Sequence, residues 1–469
     1  MTITETYQQL RTKHQVFSYQ SFAHTLEGDD FICEFTYHLE PNLTFHHRVS
    51  FHQIDTALLC QQNPDLIDNL VFHLGLIEMF SYWKLAASPL IQIDAGSLSA
   101  AQLDFWHQLL LDGMGEYFYV NQIPFYTPDF VHIEAKSNAT TSPNNCHHAH
   151  QGRRNLVNLG GGKDSATMLT MLQESNEDFA TFIIQPSSPA AHAQAQLAGK
   201  ITHTAARHFD PQLTELNARG YLNGHVPFSA SVAFNNLLAG VLYDCDFCLV
   251  GNEASADEVS LYWREQPINH QFSKSTKFEQ SFQTYCSQYL INNVKYFSLL
   301  RPFNEFQIAQ FFCTNPVFFD TARSCNRGQK QNIWCAHCPK CLFVYLLLSP
   351  FLPANVLHTR LFSHSLLDDL SLQEILSQLL GLSPAKPLEC VGTRDESQAA
   401  FYLLYTKCIQ SQQPLPALIA ALAPQVLALR SDWDNFALSL STAWHQTNTL
   451  PDWAQKLTRH YYQKLPLST

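Results

Sequence analysis

The chain is poor in basic side chains. Its 469 residues include 28 Lys and Arg against 40 Asp and Glu, giving a formal net charge of −12. This deficit disfavours a nucleic-acid binder that relies on a broad basic surface, and a small or anionic metabolite is the easier ligand. With 46% hydrophobic and 14% charged residues, the composition predicts a globular protein of two or three domains and argues against a disordered chain.

Long apolar runs are also missing. The longest, over residues 342–352, is interrupted by Ser349 and Pro350 and is far shorter than a membrane span. The first residues lack a basic start followed by an apolar stretch, so no signal peptide is predicted. We therefore expect a cytoplasmic protein without membrane insertion, whose 13 cysteines serve as metal ligands or buried thiols more than as disulfides.

Three consecutive glycines are the first chemical feature that is present. Residues 155–166 read Asn-Leu-Val-Asn-Leu-Gly-Gly-Gly-Lys-Asp-Ser-Ala, which predicts a strand, a glycine loop and the start of a helix. Glycines let the backbone approach a ligand or adopt positive φ, and a helix start presents free N–H groups and a positive dipole end. The segment predicts a site for nucleotide phosphates, with a tight turn into a helix as the simpler alternative.

The loop fits neither common nucleotide motif. Lys163 is followed by Asp164, unlike a Walker loop, and Ser165 stands where the dinucleotide fingerprint has its third glycine. Residues 160–165 instead resemble the PP-loop of the ATP pyrophosphatase superfamily, Ser-Gly-Gly-x-Asp-Ser, with glycine replacing the first serine. That resemblance implies that ATP is cut between its α and β phosphates and that the substrate becomes adenylated.

Each polar side chain of the loop suits a nucleotide ligand. Lys163 would neutralise phosphate charge, Ser165 would donate to a phosphate oxygen, and Asp164 could hold the magnesium ion that accompanies ATP. The candidate ATP-binding residues are Gly160, Gly161, Gly162, Lys163, Asp164, Ser165, Gly251 and Asn252.

Strand and helix patterns alternate over residues 155–250, which predicts an α/β fold with a parallel sheet. The predicted strands are 155–159, 180–184, 201–205 and 247–250, and the predicted helices are 164–174, 190–199 and 229–242. Ligands of such sheets bind at the carboxyl ends of the strands, where the glycine loop and residues 251–258 both lie.

The same patterns predict a division of the chain. In the first segment, strands over 31–39 and 45–52 are expected to pair across a turn. The expected units are an N-terminal α+β domain (1–135), a linker (136–154), a PP-loop domain of the adenine nucleotide α-hydrolase type (155–354) and a helical C-terminal region (355–469).

Four polar segments could supply proton-transfer groups at the ligand edge. Residues 251–258 could ligate magnesium or act as a base, or simply begin a solvated helix. Ser229 could bind substrate or merely cap a helix, and Cys390 lies in a polar turn beside Glu389, with which it could form a thiol–carboxylate pair. The candidate catalytic residues are Glu253, Asp257, His225, His270 and Cys390, and the candidate substrate-binding residues are Ser229, Arg264, Lys274 and Arg301.

A cysteine pattern follows near residue 330. Cys325 is separated by nine residues from Cys335, and Cys338 and Cys341 follow at Cys-x-x-Cys steps. Four thiolates so spaced can close a tetrahedral shell around zinc, while an iron–sulfur cluster and buried thiols are the alternatives. The pattern resembles the zinc knot of 7-cyano-7-deazaguanine synthase, another PP-loop enzyme, and likewise follows a Leu-Leu-Arg-Pro-Phe type segment, here 299–303.

Taken together, the glycine loop, the cysteine knot and residues 223–229, 251–255 and 269–274 resemble the UDP-N-acetylmuramoyl-L-alanyl-L-glutamate epimerase (MurL) family. The resemblance implies ATP-dependent conversion of the terminal L-glutamate to D-glutamate through an acyl-adenylate, with release of AMP and pyrophosphate, for peptidoglycan precursor synthesis. It implies Mg²⁺, structural Zn²⁺ and a UDP-linked muramoyl dipeptide as partners, and no nucleic acid.

Two alternatives stay open. A PP-loop amide ligase or thiolase would pass the adenylate of another carboxylate or carbonyl to ammonia or sulfur, although no glutaminase or rhodanese-like segment is evident. A zinc-stabilised nucleotide sensor would bind ATP without turnover.

Overall fold

The computed structural model describes residues 3–136, 154–175 and 177–465, so that the predicted linker lies almost entirely outside the described residues. The strands within these ranges are β1 Val16–Glu27, β2 Asp30–Leu39, β3 Leu43–His52, β4 Leu90–Ser97, β5 His132–Lys136, β6 Asn155–Asn158, β7 Phe179–Gln185, β8 Thr202–His208, β9 Phe247–Val250, β10 Leu261–Trp263, β11 Gln266–Ile268 and β12 Lys295–Ser298.

The helices of the same ranges are α1 Ile3–Lys13, α2 Thr56–Leu59, α3 Pro64–Glu78, α4 Phe80–Trp83, α5 Ala100–Gly113, α6 Gly115–Val120, α7 Lys163–Ser175, α8 Pro189–Ala198, α9 Gln212–Ala218, α10 Phe228–Leu242, α11 Thr276–Tyr289, α12 Glu305–Thr314, α13 Pro339–Leu348, α14 Ala354–Val356, α15 Gln373–Leu379, α16 Arg394–Gln410, α17 Ala417–Leu427, α18 Trp433–Ser441 and α19 Asp452–Lys464. Within these described residues, none combines the length and apolarity that a membrane span requires.

One ten-stranded sheet organises the molecule, in the order β12-β9-β6-β7-β8-β3-β2-β1-β4-β5. Strands β12 to β8 pair in parallel, as do β1, β4 and β5, whereas β8, β3, β2 and β1 pair antiparallel. The predicted α/β class is confirmed, and so is the predicted pairing of residues 31–39 with 45–52, in which Phe31 lies opposite Phe51.

The sheet runs without interruption from the N-terminal strands into the strands after residue 154. The junction is the antiparallel pairing of β3 with β8, in which Arg48 lies opposite His208 and His52 opposite Thr204. The domain boundaries stay a prediction, but the two segments that they separate share one hydrogen-bonded sheet.

Two hydrophobic cores lie on opposite faces of this sheet. Strand β6 contributes Leu156 to the first core and Val157 to the second, and β7 contributes Phe182 and Ile183 in the same way. Because successive side chains of a strand point to opposite faces, strands buried on both sides carry continuous apolar runs. Those runs are the signal from which the strands around the glycine loop were predicted.

The predicted helical C-terminal region is also present, and its helices complete the second core. One helix is shorter than predicted. The apolar pattern over 366–380 predicts a single helix, whereas the α-helix found there is α15, which covers only part of this range. The side chain of Asp369 accepts a hydrogen bond from the backbone N–H of Ser371 and starts a separate short turn. Local capping by aspartate competes here with helix continuation.

Candidate active site

A cavity of about 460 Å³ lies at the carboxyl ends of β6 and β9. The glycine loop and the loop after β9 line one side, through Gly160, Gly162, Asp164, Ser165, Gly251 and Asn252. Ser229, at the start of α10, and the side chains of His225, His270, Lys274 and Cys390 also line it. The cavity therefore brings a nucleotide-type loop and titratable side chains into one space, at the sheet edge where ligands of parallel sheets bind.

The conformation of the glycine loop is fixed by a hydrogen bond within it and by close packing against α8. The backbone N–H of Gly160 donates to Ser165 Oγ at 3.0 Å, just before α7 begins its first turn. Gly161 has φ of +82°, and a Cβ there would lie 2.6 Å from the backbone nitrogen of Ala191. Gly161 is thus required by backbone geometry and packing, whereas Gly160 and Gly162 face the cavity.

A group of carboxylates lies beneath the loop. Oxygens of Asp164, Glu253 and Glu305 lie within 4.8 Å of one another, and Lys163 forms ion pairs with Asp164 and Glu305. Burial opposes the ammonium charge, but the carboxylates of Asp164 and Glu305 raise the pKa of Lys163. Lys163 does not line the cavity and contacts carboxylates, so its contact with phosphate stays a prediction.

The three carboxylates of Asp164, Glu253 and Glu305 together suit a hard cation such as Mg²⁺. Their donors are all oxygens, which magnesium prefers. Glu253 is 1% exposed, and its Oε2 has no hydrogen-bond partner within the part of the chain that the structure describes. Glu305 was not identified from the sequence, because an acidic residue in the first turn of a helix is a common feature of helix starts.

Four titratable side chains lie together beside the cavity. His270 contacts Glu116 through Nδ1, and its Nε2 lies 3.6 Å from the sulfur of Cys390. The rings of His225 and His270 have centroids 4.5 Å apart. Glu116 belongs to α6, in a segment that carries no sequence motif, and was not identified from the sequence.

The environment moves these groups away from their ordinary pKa values. Burial opposes the charge of His270, but its contacts with Cys390 and Glu116 raise its pKa to about 9. Burial likewise disfavours the thiolate of Cys390, but the positive charges of Lys274 and His270 lower its pKa to about 6. Burial and the charge of His270 lower the pKa of His225 to about 4. These shifts favour a thiolate at Cys390, an imidazolium at His270 and a neutral imidazole at His225.

Two predicted catalytic carboxylates lie elsewhere. Asp257 is exposed, and its oxygens accept hydrogen bonds from the backbone N–H and hydroxyl of Thr276, both at 2.7 Å, at the start of α11. Glu253 is buried, lies close to Asp164 and Glu305, and does not line the cavity. Neither carboxylate lines the cavity, and a catalytic role for either stays a prediction.

Two predicted substrate-binding arginines are also placed differently. Arg301 is 1% exposed and donates to the Glu279 carboxylate and to the backbone oxygens of Glu253 and Lys274. Arg264 lies in the β10–β11 turn, where its guanidinium contacts the Tyr126 hydroxyl. Neither arginine lines the cavity, whereas Ser229 and Lys274, the other two predicted substrate-binding residues, do.

The four cysteines of the predicted knot converge. Their sulfurs lie within 4.8 Å of one another, with distances of 4.0 Å for Cys325–Cys338, 3.7 Å for Cys335–Cys341 and 3.4 Å for Cys338–Cys341. Four sulfurs at the Zn–S bond length in a tetrahedron would be about 3.8 Å apart. The backbone N–H groups of Gly328 and Cys335 point at Cys325 Sγ, as they do toward thiolates. The cluster can hold a structural zinc ion.

The knot adjoins the cavity, since Asn326 and Gln329 of its loop are lining residues. Glu389 accepts a hydrogen bond from the backbone N–H of Lys340 at 3.1 Å. The thiol–carboxylate pair envisaged for residues 389 and 390 is therefore replaced by the contact of Cys390 with His270.

The protein is thus an α/β protein in which a glycine loop and a helix start meet a thiol–imidazole pair in one cavity at a sheet edge. The family follows from comparison with known proteins. The model of the MurL N-terminal domain matches residues 8–299, and that of the MurL C-terminal domain matches residues 321–432. The chain belongs to the MurL family.

Curated relatives agree with this assignment. UDP-N-acetyl-alpha-D-muramoyl-L-alanyl-L-glutamate epimerase of Xanthomonas oryzae pv. oryzae (strain MAFF 311018) is 31% identical over 401 residues, covering 84% of this chain and 87% of the relative. The enzyme of the same name from Salinispora tropica (strain ATCC BAA-916 / DSM 44818 / JCM 13857 / NBRC 105044 / CNB-440) is 34% identical over 335 residues, covering 71% and 72% of the two chains.

Proposed function

We propose that this protein is an ATP-dependent epimerase that converts the terminal L-glutamate of UDP-N-acetylmuramoyl-L-alanyl-L-glutamate to D-glutamate, as a cytoplasmic step of peptidoglycan precursor synthesis. The observation that carries the proposal is the single cavity in which the glycine loop meets His225, His270 and Cys390. The family, and relatives whose names state this epimerisation, support the choice of substrate.

The glycine loop is the proposed binding site for ATP, as a PP-loop. Backbone N–H groups at the start of α7 and the hydroxyl of Ser165 would contact phosphate oxygens. Asp164, with Glu253 and Glu305 beside it, would hold Mg²⁺, whose charge would offset that of the phosphates. Gly251 and Asn252 would line the nucleotide from the loop after β9.

Adenylation explains why an epimerase would consume ATP. A glutamyl carboxylate oxygen attacks the α-phosphorus, the bond to the β-phosphate oxygen breaks, and pyrophosphate leaves. A free carboxylate makes the neighbouring α-hydrogen hard to remove, because the carbanion would add charge to charge. The acyl-adenylate has lost that charge, so its carbonyl can carry the developing enolate.

The remaining steps are proton transfers and a hydrolysis. A base removes the α-proton, leaving the C–H electron pair in the enolate, and a second group returns a proton to the opposite face. Water then cleaves the acyl–phosphate bond and releases AMP and the D-glutamyl product. Candidates for the two groups are the ionised Cys390, His270 and the neutral imidazole of His225, all of which line the cavity.

The test is a product assay with the purified protein, ATP, Mg²⁺ and UDP-N-acetylmuramoyl-L-alanyl-L-glutamate. We expect AMP, pyrophosphate and D-glutamate, the last identified by chiral chromatography after acid hydrolysis. The L-aspartyl analogue of the substrate serves as a control for recognition of the glutamyl side chain.

Other outcomes would exclude the proposal. Pyrophosphate release with an amide or thiocarbonyl product would assign the protein to PP-loop ligases or thiolases. ATP binding without substrate-dependent pyrophosphate would indicate a nucleotide sensor.

A further inference from the structure

Glu116, His270 and Cys390 form a chain of contacts that ends in the cavity. The carboxylate of Glu116 contacts His270 Nδ1, and His270 Nε2 lies 3.6 Å from Cys390 Sγ. These residues come from α6, from the segment before α11 and from the segment before α16. Both ring nitrogens of His270 are therefore engaged, one by a carboxylate and the other by a thiol.

We propose that Cys390 is the thiolate that removes the glutamyl α-proton and that Glu116 is a positioning residue that acts on it through His270. This inference rests on the proposed function. The sulfur takes the proton while the C–H electron pair moves into the enolate of the acyl-adenylate, so the thiolate becomes a thiol. A proton returns to the opposite face from a second donor, and the thiol afterwards loses its proton to solvent.

The geometry favours an ionised sulfur. A carboxylate on one ring nitrogen stabilises the imidazolium and fixes the orientation of the ring, so that the other N–H is directed at the sulfur. The charged or titratable groups that act on Cys390 are His270, Lys274 and Lys340, and those that act on His270 are Glu116, Cys390 and the neighbouring His225. The cations outweigh the burial that would otherwise keep the thiol protonated.

A metal ion is the competing explanation for part of this cluster. Glu116, His225 and His270 each offer a ligand atom, and these atoms lie within 4.8 Å of one another. A metal on His270 would require one of its two existing contacts to break, because both nitrogens are engaged. The structure therefore favours the role of His270 as a link between Glu116 and Cys390.

The first experiment measures the ionisation of Cys390 directly. The full-length protein is alkylated with iodoacetamide over a range of pH, and the modification of Cys390 is followed by peptide mass spectrometry, with the exposed Cys60 as internal reference. We expect a midpoint near pH 6 for Cys390. A midpoint near the value of a free cysteine, about 8.5, would overturn the proposal.

The second experiment tests Glu116. In Glu116→Gln the carboxylate charge is lost, so the pKa of His270 should fall and the alkylation midpoint of Cys390 should rise by at least about one pH unit. Glu116→Asp keeps the negative charge, so its alkylation midpoint should lie closer to that of wild type than the midpoint of Glu116→Gln does. A merely structural role for Glu116 would not predict this difference. An unchanged midpoint in Glu116→Gln would contradict the positioning role, as would a metal ion that binds wild type and is lost in this variant.

The third experiment separates this inference from the proposed function. Cys390→Ser should retain substrate-dependent pyrophosphate release within about tenfold, while exchange of the α-proton with D₂O should fall by at least about a hundredfold. Exchange at the wild-type rate in Cys390→Ser would overturn the role of the thiolate but leave the epimerase proposal standing. Absence of substrate-dependent pyrophosphate in wild type would instead reject the proposed function, whatever the alkylation midpoint.

Discussion

At the scale of single residues, Gly161 and Gly160 form a matched pair for testing the glycine loop. Gly161 has φ of +82°, and a Cβ there would lie 2.6 Å from the Ala191 nitrogen, whereas for a Cβ on Gly160 the nearest atom of the described residues would be Ser165 Oγ at 4.0 Å. A left-handed conformation costs an L-residue about 1–2 kcal/mol, and the backbone clash adds to this. Gly161→Ala should therefore lower the free energy of unfolding, measured in urea without ATP, by more than about 1 kcal/mol.

Gly160→Ala is the control for that measurement and should leave the unfolding free energy within about 0.5 kcal/mol of wild type. Equal losses in the two variants would contradict the assignment of a structural role to Gly161 alone.

The ionisation of the cavity side chains predicts a bell-shaped pH profile. The thiolate of Cys390 is present above its pKa of about 6, and the imidazolium of His270 is lost above its pKa of about 9. Epimerisation measured as kcat/KM should therefore rise through about pH 6 and decline through about pH 9, because this ratio reports ionisations of the free enzyme. A single rising limb centred near 8.5 would indicate an unperturbed thiol and contradict this assignment.

The sequence placed residues at the site correctly where they lie in one local pattern, as for Ser165, which lines the cavity, and for the cysteines of the knot, which converge. It missed Glu116 and Glu305, because their partners His270 and Lys163 lie 154 and 142 positions away in the chain. It misplaced Asp257 and Arg301, whose polar groups satisfy nearby backbone groups. Local spacing does not reveal which buried charge serves packing and which faces a ligand.

At the scale of elements, the hydroxyl of Tyr285 ties α11 to α3 and α5. It accepts hydrogen bonds from Trp106 Nε1 at 3.0 Å and Gln102 Nε2 at 3.2 Å, and lies 2.9 Å from His73 Nε2. Tyr285→Phe leaves these buried groups without that partner, which should cost about 1–3 kcal/mol of unfolding free energy. Chemical denaturation followed by tryptophan fluorescence measures the change.

The matched control is Tyr262→Phe, since Tyr262 is 72% exposed and its hydroxyl can bond to water. A loss in Tyr285→Phe no larger than in this control would contradict a linking role for the buried hydroxyl.

The cysteine knot joins the start of α13 to the loop beside the glycines. The segment that leads into it is fixed to the glycine loop, because the Arg323 N–H donates to Gly161 O at 2.8 Å. We expect about one zinc ion per chain by mass spectrometry of the metal content. Cys335→Ser should lose the zinc and lower the midpoint of thermal unfolding, whereas Cys60→Ser, at an exposed position, should change neither. Unchanged metal content in Cys335→Ser would contradict the zinc assignment.

Elements were predicted best where the apolar pattern is continuous. Strand β9 has the predicted bounds, 247–250, and α7 begins one residue before the predicted 164. Prediction was weakest over 366–380, where Asp369 interrupts a pattern that is otherwise helical. Apolar periodicity indicates which side of a segment is buried. It does not indicate where a polar side chain accepts a hydrogen bond from the backbone and thereby interrupts a helix.

At the scale of the whole molecule, the continuity of the sheet explains how the site is assembled. The pairing of β3 with β8 joins the first segment of the chain to the strands that follow the glycine loop. Glu116 reaches His270 from that first segment, and Cys390 reaches it from the C-terminal one. The sequence predicted an α/β fold but not this junction, because long-range strand pairing leaves no local pattern.

The central claim is that one cavity couples cleavage of ATP to the loss and return of a glutamyl α-proton. Its most direct test is proton NMR of UDP-N-acetylmuramoyl-L-alanyl-L-glutamate incubated with the protein and Mg²⁺ in D₂O, with and without ATP. We predict that the glutamyl α-proton signal disappears only when ATP is present, as pyrophosphate forms and deuterium enters the D-glutamyl product. An α-proton signal that persists with ATP, or that disappears equally without it, would contradict the coupling.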